Sequence, residues 1–383
     1  MSLFKEYKFL CAVAVLIGMI VGAGTFGIPY VFSQTGFIIG FFYLLAIGLA
    51  VLVVHLFFGE IVLRTNQPHR LVGYAAKYLG PLAKKIAAGT VLFEYYGALL
   101  VYLILGGQFL AIVFSPLLER QETVWVLIFF ALGAFGVFLR LSVLARNELF
   151  MTALLLLAVI LLLIKGAPLI QMANLGTVNF SKFFLPYGVI LFAMAGSAAI
   201  PEMRQILQGQ EKKLKSAIFW GTFIPAILYF LFALVVVGIT GSGTTPEAIE
   251  GLVPHLGRGM IILGAIFGFF AVYTSFLVLG VAIKKIYQHD YRIKGRWAFL
   301  LACVIPLAAY LAGVKNFILV IGFIGAVLSG LDGILTILIY FKARREGDRQ
   351  PEYRLPWARL LGISIIFLFA LGIIYQFAYL SGK

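Results

Sequence analysis

Gly22-Ala23-Gly24-Thr25-Phe26-Gly27-Ile28-Pro29 interrupts an apolar run that extends from about residue 9 to residue 33. Three glycines each weaken a helix by about 1 kcal/mol relative to alanine. Pro29 removes a backbone donor and crowds the turn before it. Amides and carbonyls left bare in hydrocarbon are strongly disfavoured unless a ligand, an ion or cavity water satisfies them. The stretch therefore predicts a helix that unwinds around residues 22–26. The pattern recurs as Ala195-Gly196-Ser197-Ala198-Ala199-Ile200-Pro201, so both copies read Ala-Gly-(Thr/Ser)-x-x-Ile-Pro, 172 residues apart.

The surrounding composition says what kind of chain this is. Of 383 residues, 62% are hydrophobic and 12% charged, and the mean hydropathy is +1.05. Soluble domains run near 45–50% apolar and about 25% charged. A soluble enzyme, a nucleic-acid binder and a disordered chain are excluded, and a protein of the lipid bilayer is expected. A membrane helix needs about 20 apolar residues. Reading between charge clusters gives eleven spans, at about 9–33, 37–63, 84–114, 123–140, 147–166, 184–207, 216–240, 257–284, 296–313, 316–342 and 358–380. Segments 64–83, 167–183, 241–256 and 343–357 read as loops. The first apolar run continues past Gly27 and is read as a span, not a signal peptide.

Charge placement orients the chain. With the N-terminus in the cytoplasm, 24 of the 30 Lys and Arg residues fall on the cytoplasmic side and 6 outside, with the C-terminus outside. That asymmetry is the positive-inside signature of a cytoplasmic (plasma) membrane protein. The net charge of +15 is thus a topology signal, not a polyanion site. Cys11 and Cys303 both sit in apolar runs and read as packing residues.

Adding 172 to spans 3, 4 and 5 lands on spans 8, 9 and 10, while span 2 falls about seven residues short of span 7. The whole chain, 1–383, reads as one transmembrane domain: repeat 1 at about 9–166, repeat 2 at about 184–342, and an extra C-terminal helix at about 358–380. Five spans per repeat is an odd number, so the second copy is inverted. Matching interruptions in two inverted halves point to a binding site at the membrane midplane. The outer half-helix starting near Thr25 presents free N–H groups and a positive dipole end, suited to a carboxylate. The inner half ends near Val21, where carbonyls suit an ammonium or a metal cation. Residues 193–197 offer the same arrangement, and the small side chains of Ala23, Ala193, Ala195, Ser197 and Ala198 leave room for a large substrate side chain.

At these residues the chain resembles the amino acid/polyamine/organocation superfamily, with its leucine-transporter-like inverted-repeat fold. Within it the likeness is to the hydroxy/aromatic amino acid permeases and the amino acid/auxin permeases. The carrying motifs are Gly22–Tyr30, Leu185-Pro186 and Thr274-Ser275-Phe276-Leu277. The aromatic branch often has a Phe-His-Gly sequence at the sixth span, whereas this chain has Met194-Ala195-Gly196. The resemblance implies an all-α integral membrane protein with discontinuous helices 1 and 6. It implies substrate binding at Val21, Gly22, Ala23, Gly24, Thr25 and Phe26, and at Ala193, Met194, Ala195, Gly196 and Ser197. It also maps a sodium site onto Gly18, Val21, Ala271, Thr274 and Ser275. Spacing agrees in part, because Ala271, Thr274 and Ser275 share one helix face, and uncharged oxygens suit a hard cation.

Other groups keep protons open as the coupling ion. Some proton-coupled relatives use a lysine buried in span 5, but here Lys165 lies at that span's outer end. Intramembrane ionisable residues are functional candidates: His55, Glu94, Glu202 beside Arg204, and Asp332. Tyr95 and Tyr96 follow Glu94 on a pocket-lining span; about 100° apart on a helix, they cannot both face inward. Glu60 and Arg64 form an i, i+4 pair. Metal-ligand spacing, a P-loop and a nucleophile elbow are all missing from the sequence, so an enzyme is excluded. The sequence expectation is a secondary active transporter. It would couple Na+ or H+ to symport of a neutral amino acid, aromatic or large and apolar, by alternating access. The alternative is an amino acid sensor on the same scaffold. No cofactor, other metal, nucleic acid or protein partner is expected.

Overall fold

The computed structural model describes residues 2–114, 118, 121–139, 157, 159–289 and 291–381. All regular structure among them is helical. The N-terminal half contains α1 (Ser2–Ile20), α2 (Gly24–Thr35), α3 (Phe37–Arg64), α4 (Leu71–Leu79), α5 (Pro81–Phe114), α6 (Glu122–Phe138) and α7 (Val159–Leu169). The C-terminal half contains α8 (Leu185–Met194), α9 (Ile200–Ile206), α10 (Leu214–Thr240), α11 (Val253–Leu256), α12 (Arg258–His289), α13 (Gly295–Leu311), α14 (Phe317–Phe323), α15 (Gly330–Glu346) and α16 (Ala358–Ser381).

Among the described residues, seven helical stretches are long and apolar enough to cross a membrane, or eight if the bent pair of α1 and α2 is one span. α6, α7 and α13 are apolar but shorter, at 10–17 residues. This is an all-α integral membrane protein. Residues 147–156 and 158 of the expected fifth span lie outside the described residues, as do Arg140 and Arg146.

α5 packs along α12, α6, α4 and α13, while α10 packs on α3, α1 and α2. α8 lies against α2 and against the π-helical stretch Ile324–Ser329 that joins α14 to α15. Gly188 and Gly325 make that contact: a Cβ on Gly325 would sit 1.8 Å from the Gly188 carbonyl oxygen. Only hydrogen fits at both positions. Large apolar side chains such as Phe42, Leu49, Phe135, Phe367 and Ile374 remain exposed, as expected of helix faces turned to lipid.

The expected loop at 64–83 is corrected by α4. Nine residues cannot span a bilayer, but they can lie along it. Tyr74, Ala75 and Tyr78 are buried, and the Tyr78 hydroxyl pairs with that of Thr65 at 2.7 Å. The 347–357 connection is also built. Arg349 N–H donates to the Arg64 carbonyl (3.2 Å), and Leu355 N–H donates to Glu60 Oε2 (3.1 Å). Asp348 accepts from Asn66 N–H (2.9 Å) and from Lys77 Nζ (2.5 Å). The connection thus straps the end of α3.

Candidate functional site

The two glycine-bearing interruptions are where helices break. α1 ends at Ile20, with Val21 N–H still donating to the Ile17 carbonyl at 2.8 Å. Two tight turns follow, Thr25 N–H to Gly22 O (3.0 Å) and Phe26 N–H to Ala23 O (3.2 Å). α2 then departs at 57° to α1. Among the described residues, no backbone acceptor meets the N–H groups of Gly22, Ala23 and Gly24. α8 ends at Met194, and a single 3₁₀ turn over Ser197–Ala199 leads into α9. There Ala195 N–H donates to Phe192 O at 3.2 Å, and Ala199 N–H to Gly196 O at 3.1 Å. The breaks touch: a Cβ on Gly24 would stand 2.6 Å from Ala193 Cα, and one on Gly196 would stand 2.6 Å from Ile20 Cγ1.

Between the breaks lies a cavity of about 210 Å³. Its walls are Ile20, Gly22, Ala23 and Gly24 from the first break and Ala193, Ala195, Gly196, Ser197 and Ala198 from the second. His55 on α3, Glu94, Tyr95 and Tyr102 on α5, and Ser329, Asp332 and Thr336 at α15 complete it. Glu94, Tyr95, Ser197, Ala198 and Asp332 also line a vestibule of about 1150 Å³ that carries Arg70, Lys84, Lys85 and Arg292. The cavity and the basic vestibule thus share a wall. On the other side Phe26 sets its ring edge-on to Phe109, centroids 4.9 Å apart.

The carboxylates are placed by hydroxyl donors. Ser329 Oγ donates to Glu94 Oε1 at 2.7 Å, and Thr90 Oγ1 donates to Asp332 Oδ1 at 2.5 Å. The π-helical stretch and the first turn of α15 bring Ser329 and Asp332 to the cavity. His55 Nδ1 pairs with Thr222 Oγ1 at 3.0 Å, joining α3 to α10.

Other expected residues fall elsewhere. The Tyr96 hydroxyl lies 2.9 Å from that of Tyr287 and 3.1 Å from the Leu301 carbonyl oxygen, facing α12 and α13 while Tyr95 faces the cavity. Val21, Thr25, Phe26 and Met194 are buried behind the cavity wall. Thr274 Oγ1 donates to the carbonyls of Phe270 (3.0 Å) and Ala271 (3.1 Å) in its own helix. Leu279, one turn beyond Ser275, reaches the cavity, and Gly18 and Val21 lie at the end of α1. Glu202 is exposed, and Arg204 donates instead to the carbonyls of Val62 (2.6 Å) and Thr65 (2.7 Å), capping α3. Among the described residues no cluster of three or more His, Cys, Asp or Glu could hold a metal.

Sequence reasoning missed Tyr229. Its hydroxyl reaches the carbonyl of Ile20 at 2.7 Å and that of Ala193 at 3.1 Å, one from each break. The signal available was a tyrosine one turn beyond Pro225, in the middle of an otherwise apolar span.

The family model described as the tryptophan/tyrosine permease family matches residues 5–377. Tyrosine-specific transport system 1 of Haemophilus influenzae is 26% identical over 394 residues, covering 96% of this chain and 95% of that protein. Glutamine transporter 2 of Aliivibrio fischeri is 25% identical over 387 residues, covering 94% and 97%. Among solved structures, MhsT in complex with L-phenylalanine aligns with a TM-score of 0.64 at 16% identity, covering 96% of this chain and 98% of that one. The inward-facing conformation of Mhp1 aligns at 0.66 and 14%, covering 98% and 91%. Both share this chain's fold.

Proposed function

The chain belongs to the tryptophan/tyrosine permease family, and from that premise we propose that it is a cation-coupled symporter of a neutral amino acid working by alternating access. It is an amino acid transporter, not an enzyme. The observation that carries the finer reading is the cavity of about 210 Å³ between the two helix breaks. Unpaired amides at residues 22–24 would bind the carboxylate, and the carbonyl ends of α1 and α8 the ammonium. The side chain would lie among Tyr95, Ala98 and Tyr102. An aromatic or large apolar substrate fits that lining.

We read the chain as eleven crossings in two inverted five-span repeats plus α16, in the cytoplasmic membrane with the N-terminus inside. On this reading the basic vestibule is the cytoplasmic exit, and the conformation is inward-open. α1, α2, α3, α8, α9 and α10 would rock against α5, α6, α12 and α13.

The coupling ion is the proton on our reading. Glu94 and Asp332 line the cavity, Glu202 does not, and the Thr274 hydroxyl is engaged by its own helix. Sodium at Gly18, Val21, Ala271, Thr274 and Ser275 is the competing assignment, favoured by the shared helix face of the last three.

The deciding experiment is uptake of labelled tyrosine, phenylalanine, tryptophan, leucine and glutamine into proteoliposomes. An inward proton gradient, an inward sodium gradient and no gradient are compared. Proton-driven accumulation is expected. Accumulation driven only by sodium would transfer coupling to Thr274 and Ser275. Binding without accumulation would make the protein a sensor.

A further inference from the structure

Tyr229 is fully buried on α10. Its hydroxyl lies 2.7 Å from the Ile20 carbonyl oxygen and 3.1 Å from that of Ala193. These carbonyls belong to the last turns of α1 and α8. Two helix C-termini, each with roughly half a negative charge from its aligned peptide dipoles, therefore converge on one phenol. A phenol carries a single hydrogen. It can bond one carbonyl fully at any moment, and the other is left without a donor in a region where bare carbonyls are strongly disfavoured. Thr25 does not supply the missing donor: its hydroxyl neighbours that of Tyr229 but makes no hydrogen bond in ordinary geometry. Ile20 and Ala193 both line the cavity.

We infer that Tyr229 is a positioning residue for the cationic end of the ligand. Its hydrogen holds one of the two carbonyls while the other accepts a small cation, either the ammonium of the amino acid or a monovalent metal ion. Occupancy of one carbonyl sends the hydrogen to the other, so each break registers what the other binds. The inference rests on the breaks being the ligand site, and the test separates the two.

Tyr229→Phe removes the hydrogen and keeps the ring. Binding of L-tyrosine and of 3-(4-hydroxyphenyl)propionate, which lacks only the ammonium, is measured on purified wild type and variant in sodium and in choline. Losing the hydrogen bond that positions the break carbonyls is expected to lower the wild-type preference for L-tyrosine about fivefold in the variant. A fall in both salts assigns the ammonium; a fall confined to sodium assigns the metal ion. A merely structural role would weaken both ligands alike, and an unchanged preference in both salts overturns the inference.

If wild type binds no L-tyrosine, the ligand reading fails and a ligand-free measurement decides. A Cβ at Gly22 meets nothing within 4 Å. In a Gly22→Cys, Cys11→Ala, Cys303→Ala background, adding Tyr229→Phe is expected to raise labelling by a water-soluble methanethiosulfonate severalfold, because the break loosens. Equal rates would overturn the positioning role.

Discussion

Gly24 and Ala193 are in backbone contact: a Cβ on Gly24 would stand 2.6 Å from Ala193 Cα and 2.8 Å from its Cβ. The two helix breaks touch there through main chain, and so the cavity beside the contact can be walled by main chain. Gly24→Ala must push the breaks apart. Overpacking of this kind costs about 1–3 kcal/mol, and transport is expected to be lost while the protein still folds. Ala193→Gly relieves the Cβ clash but not the Cα clash, so the double variant should recover uptake only in part. Gly22→Ala points into open space and should leave the melting temperature nearly unchanged. Uptake and thermal melting of the four proteins check this.

Coupling separates by substitution. Glu94→Gln and Asp332→Asn should each abolish proton-driven accumulation while leaving downhill exchange measurable, because each removes an acid facing the cavity. Thr274→Ala should then leave uptake unchanged. If Thr274→Ala instead removes a sodium stimulation that wild type shows, coupling moves to α12.

Glu60 is buried and fully used. Oε1 accepts from Arg64 Nε and Nη2 at 2.9 and 2.7 Å, and Oε2 accepts from the Tyr340 hydroxyl at 3.0 Å and from Leu355 N–H at 3.1 Å. Glu60→Ala strands the Arg64 guanidinium, and breaking a buried pair in this way costs about 3–5 kcal/mol. A large drop in detergent melting temperature is expected. Replacing Glu60 and Arg64 together by Leu and Met should cost less than Glu60→Ala alone; if it costs more, the pair is not the origin of the loss.

Asp348 supplies a pH signature. The Lys77 ammonium, with the Asn66 N–H, holds its carboxyl below the usual carboxylate range. A depressed acid contributes stability that is present above its unfolded pKa and lost as pH falls through the folded value. The strap at 347–357 should therefore loosen only below about pH 4, the ordinary carboxylate range. Asp348→Asn should expose the strap to protease at neutral pH and make progressively less difference as pH falls through the folded value of Asp348. The contact is part-exposed, so the effect on global melting should be small.

Much of this was legible beforehand. Helix breaks expected around residues 22–26 and 193–197 fall at 21–23 and 195–196, with α2 resuming already at Gly24; Gly and Pro signatures locate them because local backbone cost is written in local residue type. The i, i+4 pairing of Glu60 and Arg64 was equally local. α4 was not legible, since nine residues with two tyrosines become a helix only by burying Tyr74, Ala75 and Tyr78 against neighbours distant in sequence. Tyr95 could not be chosen over Tyr96 until the rotation of α5 was set by its packing on α12 and α13.

The sequence by itself determined that this chain lives in a bilayer and where its helices break. Apolar run length, charge placement and helix-breaking residues act within a turn or two of themselves. Only the tertiary structure decided which polar groups share the cavity. Glu94 and Ser329 are 235 residues apart, and Tyr229 lies 209 residues from Ile20, yet each pair is joined by a hydrogen bond of 2.7 Å. Such bonds depend on the crossing and rotation of whole helices, which the summed packing of many side chains sets and no short stretch encodes.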